Sequence, residues 1–146
     1  MIRKAEKKDC EAMMKLIHEL AVFEKAGDEV VLPLNQFIED GFGNNPVWGA
    51  FVAEIDDEIV GMSLYYDRYS TWKGRRLYLE DLVVTEKMRG KNIGKLLFDA
   101  TLEHGKASGY SGMVFQVLNW NENAIEFYKK YPTKFDDEWV NVSVEF

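Results

Sequence analysis

Apolar positions recur with two different periods along the chain. From Cys10 to Lys25, "CEAMMKLIHELAVFEK" sets Met13, Ile17, Leu20 and Ala21 at helical spacing with Met14 alongside, which predicts an amphipathic helix. Asp9 precedes it as an N-cap whose carboxylate can accept bonds from the free amides of the first turn, and Gly27 closes the helix or the loop after it. "PLNQFIEDGFG" predicts a second, short helix stopped by Gly41 and Gly43. From Val47 the period falls to two: "VWGAFVAEID" and "EIVGMSLYYDR" alternate around an Asp56-Asp57 turn, and "RRLYLEDLVV" continues the meander. Helical spacing returns in "IGKLLFDATLEHGKAS", with Ile93, Leu96, Leu97 and Ala100 on one face. A strand "YSGMVFQVLNW", a helix "NENAIEFYKKY" and a last strand "DEWVNVSVEF" complete the order. With "MIRKAE" as an opening strand, the pattern is β-α-α-β-β-β-α-β-α-β. It predicts an α/β (α+β) fold with a mixed sheet and helices on its faces, not a doubly wound parallel sheet.

Composition narrows the function. The 146 residues suit a single domain spanning 1–146, and 47% hydrophobic with 14% aromatic residues is enough for a filled core. No linker, repeat or low-complexity tract interrupts it. A net charge of −7 argues against nucleic-acid binding and is compatible with a cationic substrate. The single cysteine, Cys10, leaves no internal disulfide and no Cys-rich zinc site. No apolar run reaches membrane-spanning length and the N-terminus has no signal-peptide pattern, so the expected setting is the cytoplasm without a membrane partner.

Three constellations carry candidate chemistry. "MRGKNIGKLL", Met88 to Leu97, packs Gly90, Gly94, Arg89, Lys91 and Lys95 between a strand and a helix. Free amides of a helix start, close approach at glycine and nearby positive charge suit an anion. The loop matches neither the Walker motif nor the dinucleotide fingerprint, and the bland alternative is a strand-to-helix turn with solvated lysines. "YLED" sets Glu80 and Asp81 inside an apolar strand, where neighbouring residues face opposite sides. A carboxylate there serves as general base or counter-charge to an ammonium, or else pairs structurally with Arg75 or Arg76. "NWNENAIEFYKKY" offers Asn119 or Asn121 as a cap, and Tyr128 as either a core residue or a general acid. His18 and His104 have no ligand-like spacing, and no metal site is expected.

Together these pieces resemble the GCN5-related N-acetyltransferase (GNAT) superfamily over nearly the whole chain. Its signature, Arg/Gln-x-x-Gly-x-Gly/Ala, falls on Arg89, Asn92 and Gly94, with asparagine where the family usually has glycine. Asparagine is the non-glycine residue that best tolerates left-handed backbone, which would preserve the turn. "EDGFG", "YSTWKGR", "LYLEDL" and "WNENAIEFYKK" are similar, in that order, to the diamine (spermidine/spermine) and thialysine N-epsilon-acetyltransferase subgroup. "STWKGR" resembles the thialysine type more, since polyamine enzymes favour an acidic residue at the position of Ser70.

The resemblance implies a mostly antiparallel sheet of six to seven strands, its fourth and fifth splayed around acetyl-coenzyme A. It implies that the backbone of Leu82, Val83 and Val84 receives the pantetheine arm. Arg89, Gly90, Lys91, Asn92, Ile93, Gly94 and Lys95 would cradle the pyrophosphate, and Asn121 and Ala124 would contact the rest of the cofactor. Tyr128 would protonate the departing thiolate and Glu80 would help deprotonate the amine. Phe23, Glu24, Trp72, Glu80 and Asp81 would line the acceptor side, with Asp136, Asp137 or Glu138 supplying a further acid.

The implied function is direct acetyl transfer, in a ternary complex and without metal, to the primary amine of a thialysine- or lysine-like amino acid or a di- or polyamine. A homodimer is implied as well. A protein or peptide amine as acceptor, and a non-catalytic acetyl-coenzyme A-binding module, are the alternatives.

Overall fold

The alternation from Val47 onward becomes an antiparallel meander in a computed structural model, which describes residues 1–146. Asp56 and Asp57 both take left-handed backbone (φ 52° and 62°), the geometry of a two-residue hairpin turn between β2 (Gly49–Ile55) and β3 (Glu58–Ser70). β4 (Gly74–Val84) returns along β3, while β1 (Ile2–Lys4) pairs antiparallel with β2 on its other side. β5 (Met113–Phe115) joins β4 in parallel, so the sheet order is β1-β2-β3-β4-β5. Parallel pairing needs a crossover, which α3 (Ile93–Ala107) supplies.

Helices cover both faces of this sheet. α1 (Cys10–Phe23) and α2 (Leu34–Phe42) bury Met13, Leu16 and Phe37 against Val52, Met62, Leu64 and Val83. On the opposite face, Ile93 and Leu97 of α3 pack on Ala53 and Val60, and Thr101 shares a buried 2.8 Å hydrogen bond with Ser63. Leu96 is 40% exposed, so the inner stripe of α3 runs through Phe98, Thr101 and Gly105 rather than Leu96. Asp9 does not cap α1 as its position suggests. Its carboxylate is taken by the Glu6 amide (2.7 Å) and by two nitrogens of Arg3 (2.7 and 3.0 Å), which tie β1 to the turn before the helix.

The chain divides into two compact units, Met1–Gln116 and Val117–Phe146. The second is built on α4 (Glu122–Tyr128), whose N-cap Asn121 accepts from the Ala124 amide at 3.3 Å. Thr133 donates its hydroxyl to the Tyr128 carbonyl at 3.0 Å beyond the helix end.

Five strands form, not the six to seven expected. The final alternating stretch, "DEWVNVSVEF", adopts no strand: Trp139, Val140, Val142 and Val144 are all at least 77% exposed. Alternation only prepares a segment for a sheet, because its amides and carbonyls still need a neighbouring strand. The expected strand from Tyr110 to Trp120 likewise contracts to Met113–Phe115, where β4 offers paired backbone.

Candidate active site

The register of β3 against β4 slips at one point. Tyr65 pairs with Leu79 and Leu64 with Asp81, which leaves Glu80 opposite no residue. This is a β-bulge, and it reverses the phase of the strand. In a regular strand, Glu80 and Asp81 would point to opposite faces. Here both line one cavity of about 420 Å³ on the face covered by α1 and α2. The last pair of β4 with β5 is Leu79 with Phe115, immediately before the bulge. Beyond it β4 runs on to Val84 with no partner on the β5 side, so the two strands splay as expected.

One part of the cavity is acidic and the remainder is hydrocarbon. Glu80 accepts a 2.7 Å hydrogen bond from the Tyr66 hydroxyl, and the Tyr66 ring stacks on Tyr78 with centroids 5.2 Å apart. Arg75 instead pairs with Asp67 at 2.8 Å and Arg76 reaches the Ser111 carbonyl, so neither neutralises Glu80. Asp81 is pushed up to about 7, chiefly by burial and then by the negative charges of Glu80 and Glu24. Glu24, at the end of α1, is also raised, by burial and by Glu80. Asp40 of α2 is the third carboxylate in the lining, and its Oδ1 accepts from Gln36 at 2.9 Å.

The apolar wall is set by Trp48. Its ring stacks on Phe37 at 4.6 Å and meets the edge of Phe42 at 5.5 Å, while its Nε1 donates to the Phe37 carbonyl at 3.2 Å. A Cβ on Gly41 would lie 2.2 Å from this ring, so only glycine lets Trp48 lie against α2. That accounts for the first glycine of "EDGFG". The cavity roles of Asp40, Trp48 and Tyr66 went unread in the sequence. "EDGFG" was visible as a block, but nothing local shows that its aspartate reaches the same cavity as Glu80.

The loop after β4 is clamped to α1. Glu19 accepts from the Thr85 hydroxyl (3.0 Å) and the Glu86 amide (2.9 Å). Arg89 turns back, donating to the Val84 carbonyl at 3.1 Å and lying 5.6 Å from the centre of the Phe23 ring. Lys95 pairs with Asp99 at 2.6 Å. Two of the loop's cations are therefore occupied within the chain, and its free resource is backbone. Gly90 and Asn92 both take left-handed backbone (φ 78° and 64°), and Leu96 closes the first helical bond onto the Asn92 carbonyl at 3.0 Å. Ile93, Gly94 and Lys95 thus form a first turn whose amides have no intrahelical acceptor. Gly94 is not required by packing, since the nearest atom to a Cβ there would be on Val84 at 3.8 Å. A helix start with open space above a glycine is the donor set a pyrophosphate needs.

Of the expected acceptor-side residues, Glu80 and Asp81 line the cavity, and Glu24 lies close enough to raise Asp81. The Arg89 guanidinium lies over the Phe23 ring, and Trp72 stands 85% exposed in the turn between β3 and β4. In the second unit, Asn121 and Ala124 share the cap bond of α4 and Tyr128 is buried.

A strand splayed from its neighbour, a glycine loop opening a helix and an acidic cavity beside them define an acyl-transfer fold. The model of the acetyltransferase (GNAT) family matches residues 4–131, and the chain belongs to that family. It is 40% identical over 137 residues to the thialysine N-epsilon-acetyltransferase of Bos taurus, covering 88% of this chain and 81% of that protein. It is 35% identical over 134 residues to the spermidine/spermine N(1)-acetyltransferase-like protein 1 of Homo sapiens, covering 87% of this chain but 19% of that longer one. The crystal structure of a mutant BH1408 protein from Bacillus halodurans superposes with a TM-score of 0.78 at 25% identity, covering 99% of both chains. The chain is an acetyltransferase with the GNAT fold.

The raised Asp81 has a thermodynamic signature. An unfolded aspartate releases its proton near pH 4, whereas Asp81 in the folded chain holds it to about 7. Between those values the folded state binds the extra proton, so stability falls as pH rises through that window and stays low above it. Asp81→Asn removes the titration. Its Tm relative to the native chain should climb between pH 4 and 7 and level off above. A Tm difference independent of pH would show that the carboxyl titrates normally.

Proposed function

We propose that residues 1–146 act as one N-acetyltransferase domain that moves the acetyl group of acetyl-coenzyme A to the primary amine of a small molecule. The observation that carries this reading is the bulge at Glu80, which sets two adjacent carboxylates on one wall of a cavity of about 420 Å³. A cavity of that size suits a small acceptor better than a peptide. The family model runs through the first unit and into the second as far as residue 131, which supports treating them as one domain.

An amine attacks only as the free base, and a primary ammonium has a pKa of about 10. The carboxylates draw the cation in, and one of them must then take its proton. The resemblance assigns that step to Glu80. Asp81, at about 7, is the better-matched base: its gap to the ammonium is about three pH units, against about six for an ordinary carboxylate. Glu80, held by Tyr66, orients the ammonium. When bound, acetyl-coenzyme A supplies the acetyl group as a thioester. Attack of the nitrogen lone pair on the thioester carbonyl would form the N–C bond and move the π electrons onto oxygen; their return would break the C–S bond, with the electron pair leaving on sulfur and the second amine proton passing to solvent. The family resemblance assigns the developing oxyanion to backbone N–H groups between Leu82 and Val84, and the proton returned to the thiolate to Tyr128. The first-turn amides of α3 hold the pyrophosphate, with Lys91 adding charge. We place the enzyme in the cytoplasm, on its single cysteine. We read it as a homodimer, since Val22, Val31 and Val47 are each at least 63% exposed. Sedimentation at a single-chain mass across the micromolar range would remove the dimer.

Two substitutions separate binding from chemistry. Gly94→Ala has room for its methyl group and gains helix propensity, so its Tm should hold or rise while its affinity for coenzyme A drops tenfold or more. Undiminished affinity would move the pyrophosphate elsewhere. Tyr128→Phe should lower kcat by about ten- to a thousandfold with little change in coenzyme A affinity, measured by thiol release and equilibrium titration. Unchanged turnover would remove Tyr128 from the mechanism.

A further inference from the structure

Carboxylates enter the cavity from two different elements. Glu80 and Asp81 sit together at the bulge of β4, while the third carboxylate of the lining, Asp40, comes from α2. Asp81 feels the negative charges of Glu80 and Glu24 but not that of Asp40, which therefore stands apart from the pair. No lysine, arginine or histidine lines the cavity. The neutral Gln36 amide donates to the Asp40 carboxylate at 2.9 Å, which orients it without cancelling its charge. The Val47 amide donates to the Asp40 carbonyl at 2.7 Å, so the residue is fixed through backbone and side chain alike. Asp40 also lies in the last turn of α2, which contains no basic residue. A negative charge there opposes the helix dipole. The charge thus works against the helix that carries it, whereas a cation in the cavity would offset it.

Resting on the acetyltransferase reading above, we propose that Asp40 is a specificity-determining residue, which binds a second positive charge on the acceptor while the reacting amine lies against Glu80 and Asp81. The apolar lining, which includes Ile17, Trp48 and Leu64, receives the hydrocarbon that joins the two charges. Leu32 and Val47 of the lining are 43% and 63% exposed, so the cavity opens to solvent there and other polar groups of the acceptor can project into water. Preference among amines is then set by the α2 wall, apart from the acids that act on the reacting nitrogen.

The test compares 1,5-diaminopentane with pentylamine, which differ only in the second amine, by thiol release from acetyl-coenzyme A. The native chain should favour the diamine in kcat/KM by more than its two equivalent amines supply statistically, and through KM more than kcat. Asp40→Asn keeps an acceptor for Gln36 and removes the charge. It should lower the diamine-to-monoamine ratio about tenfold, the scale of one charge-assisted hydrogen bond partly open to water. Its Tm should hold or rise, because α2 loses an unfavourable end charge. Added salt should lower the native ratio more than that of Asp40→Asn. A native preference no greater than statistical, or a ratio unchanged by Asp40→Asn, overturns the inference and leaves the acetyltransferase reading intact. Thiol release from neither amine counts against that reading instead. Calorimetric titration of both amines into the native chain and Asp40→Asn then decides the inference without turnover: an equal loss of affinity for both amines, or no loss for either, overturns it.

Discussion

A sheet residue with no partner governs this molecule. Because Glu80 is looped out of the β3–β4 ladder, the residues before and after it change phase. Tyr78 and Glu80 share a face, and so do Asp81 and Val83, where an unbroken strand would have sent the second pair to the α3 side. The two carboxylates therefore meet in one cavity, where the charge of Glu80 adds to burial in raising Asp81. Pairing with β5 stops at Leu79, the residue before the bulge. Acid placement and strand splay thus coincide at one irregularity.

The surroundings hold that irregularity in register. Gly41 lets Trp48 lie flat against α2, and Trp48 and Phe37 form the wall facing the acids. Glu19 pins the start of the loop after β4, and Arg89 ties the same loop to the end of the strand through the Val84 carbonyl. Rigid elements thereby fix the acidic cavity on one side and the helix start of α3 on the other. Charged side chains in the loop mostly serve the chain itself, which leaves the first-turn amides of α3 as its donors without an intrahelical acceptor. Those can be removed only by proline, and are otherwise blocked or bent.

Much of this was legible in the residues. Helical spacing in α1 and α3, alternation in β2 to β4 and the Asp56-Asp57 turn are local consequences of side-chain pattern and backbone preference, and they stand where expected. Asn92 takes the left-handed backbone that its substitution for glycine implied. The glycine loop and the acid pair were visible as residues out of keeping with their neighbours. The last strand was not legible correctly, since Trp139 to Phe146 alternate as a strand would yet lie exposed. Asp9 shows the same limit: its position suits a cap, but Arg3 and the Glu6 amide take its carboxylate first.

By itself, then, the sequence determined what depends on near neighbours along the chain: the type of each element, the left-handed positions and the kinds of chemical group available. Only the tertiary structure decided which groups meet. Strand pairing set the bulge, the bulge set the face on which Asp81 lies, and burial beside Glu80 and Glu24 set its affinity for a proton. Those quantities depend on register and on dielectric surroundings, which arise between segments far apart in sequence and are written in no single stretch of it.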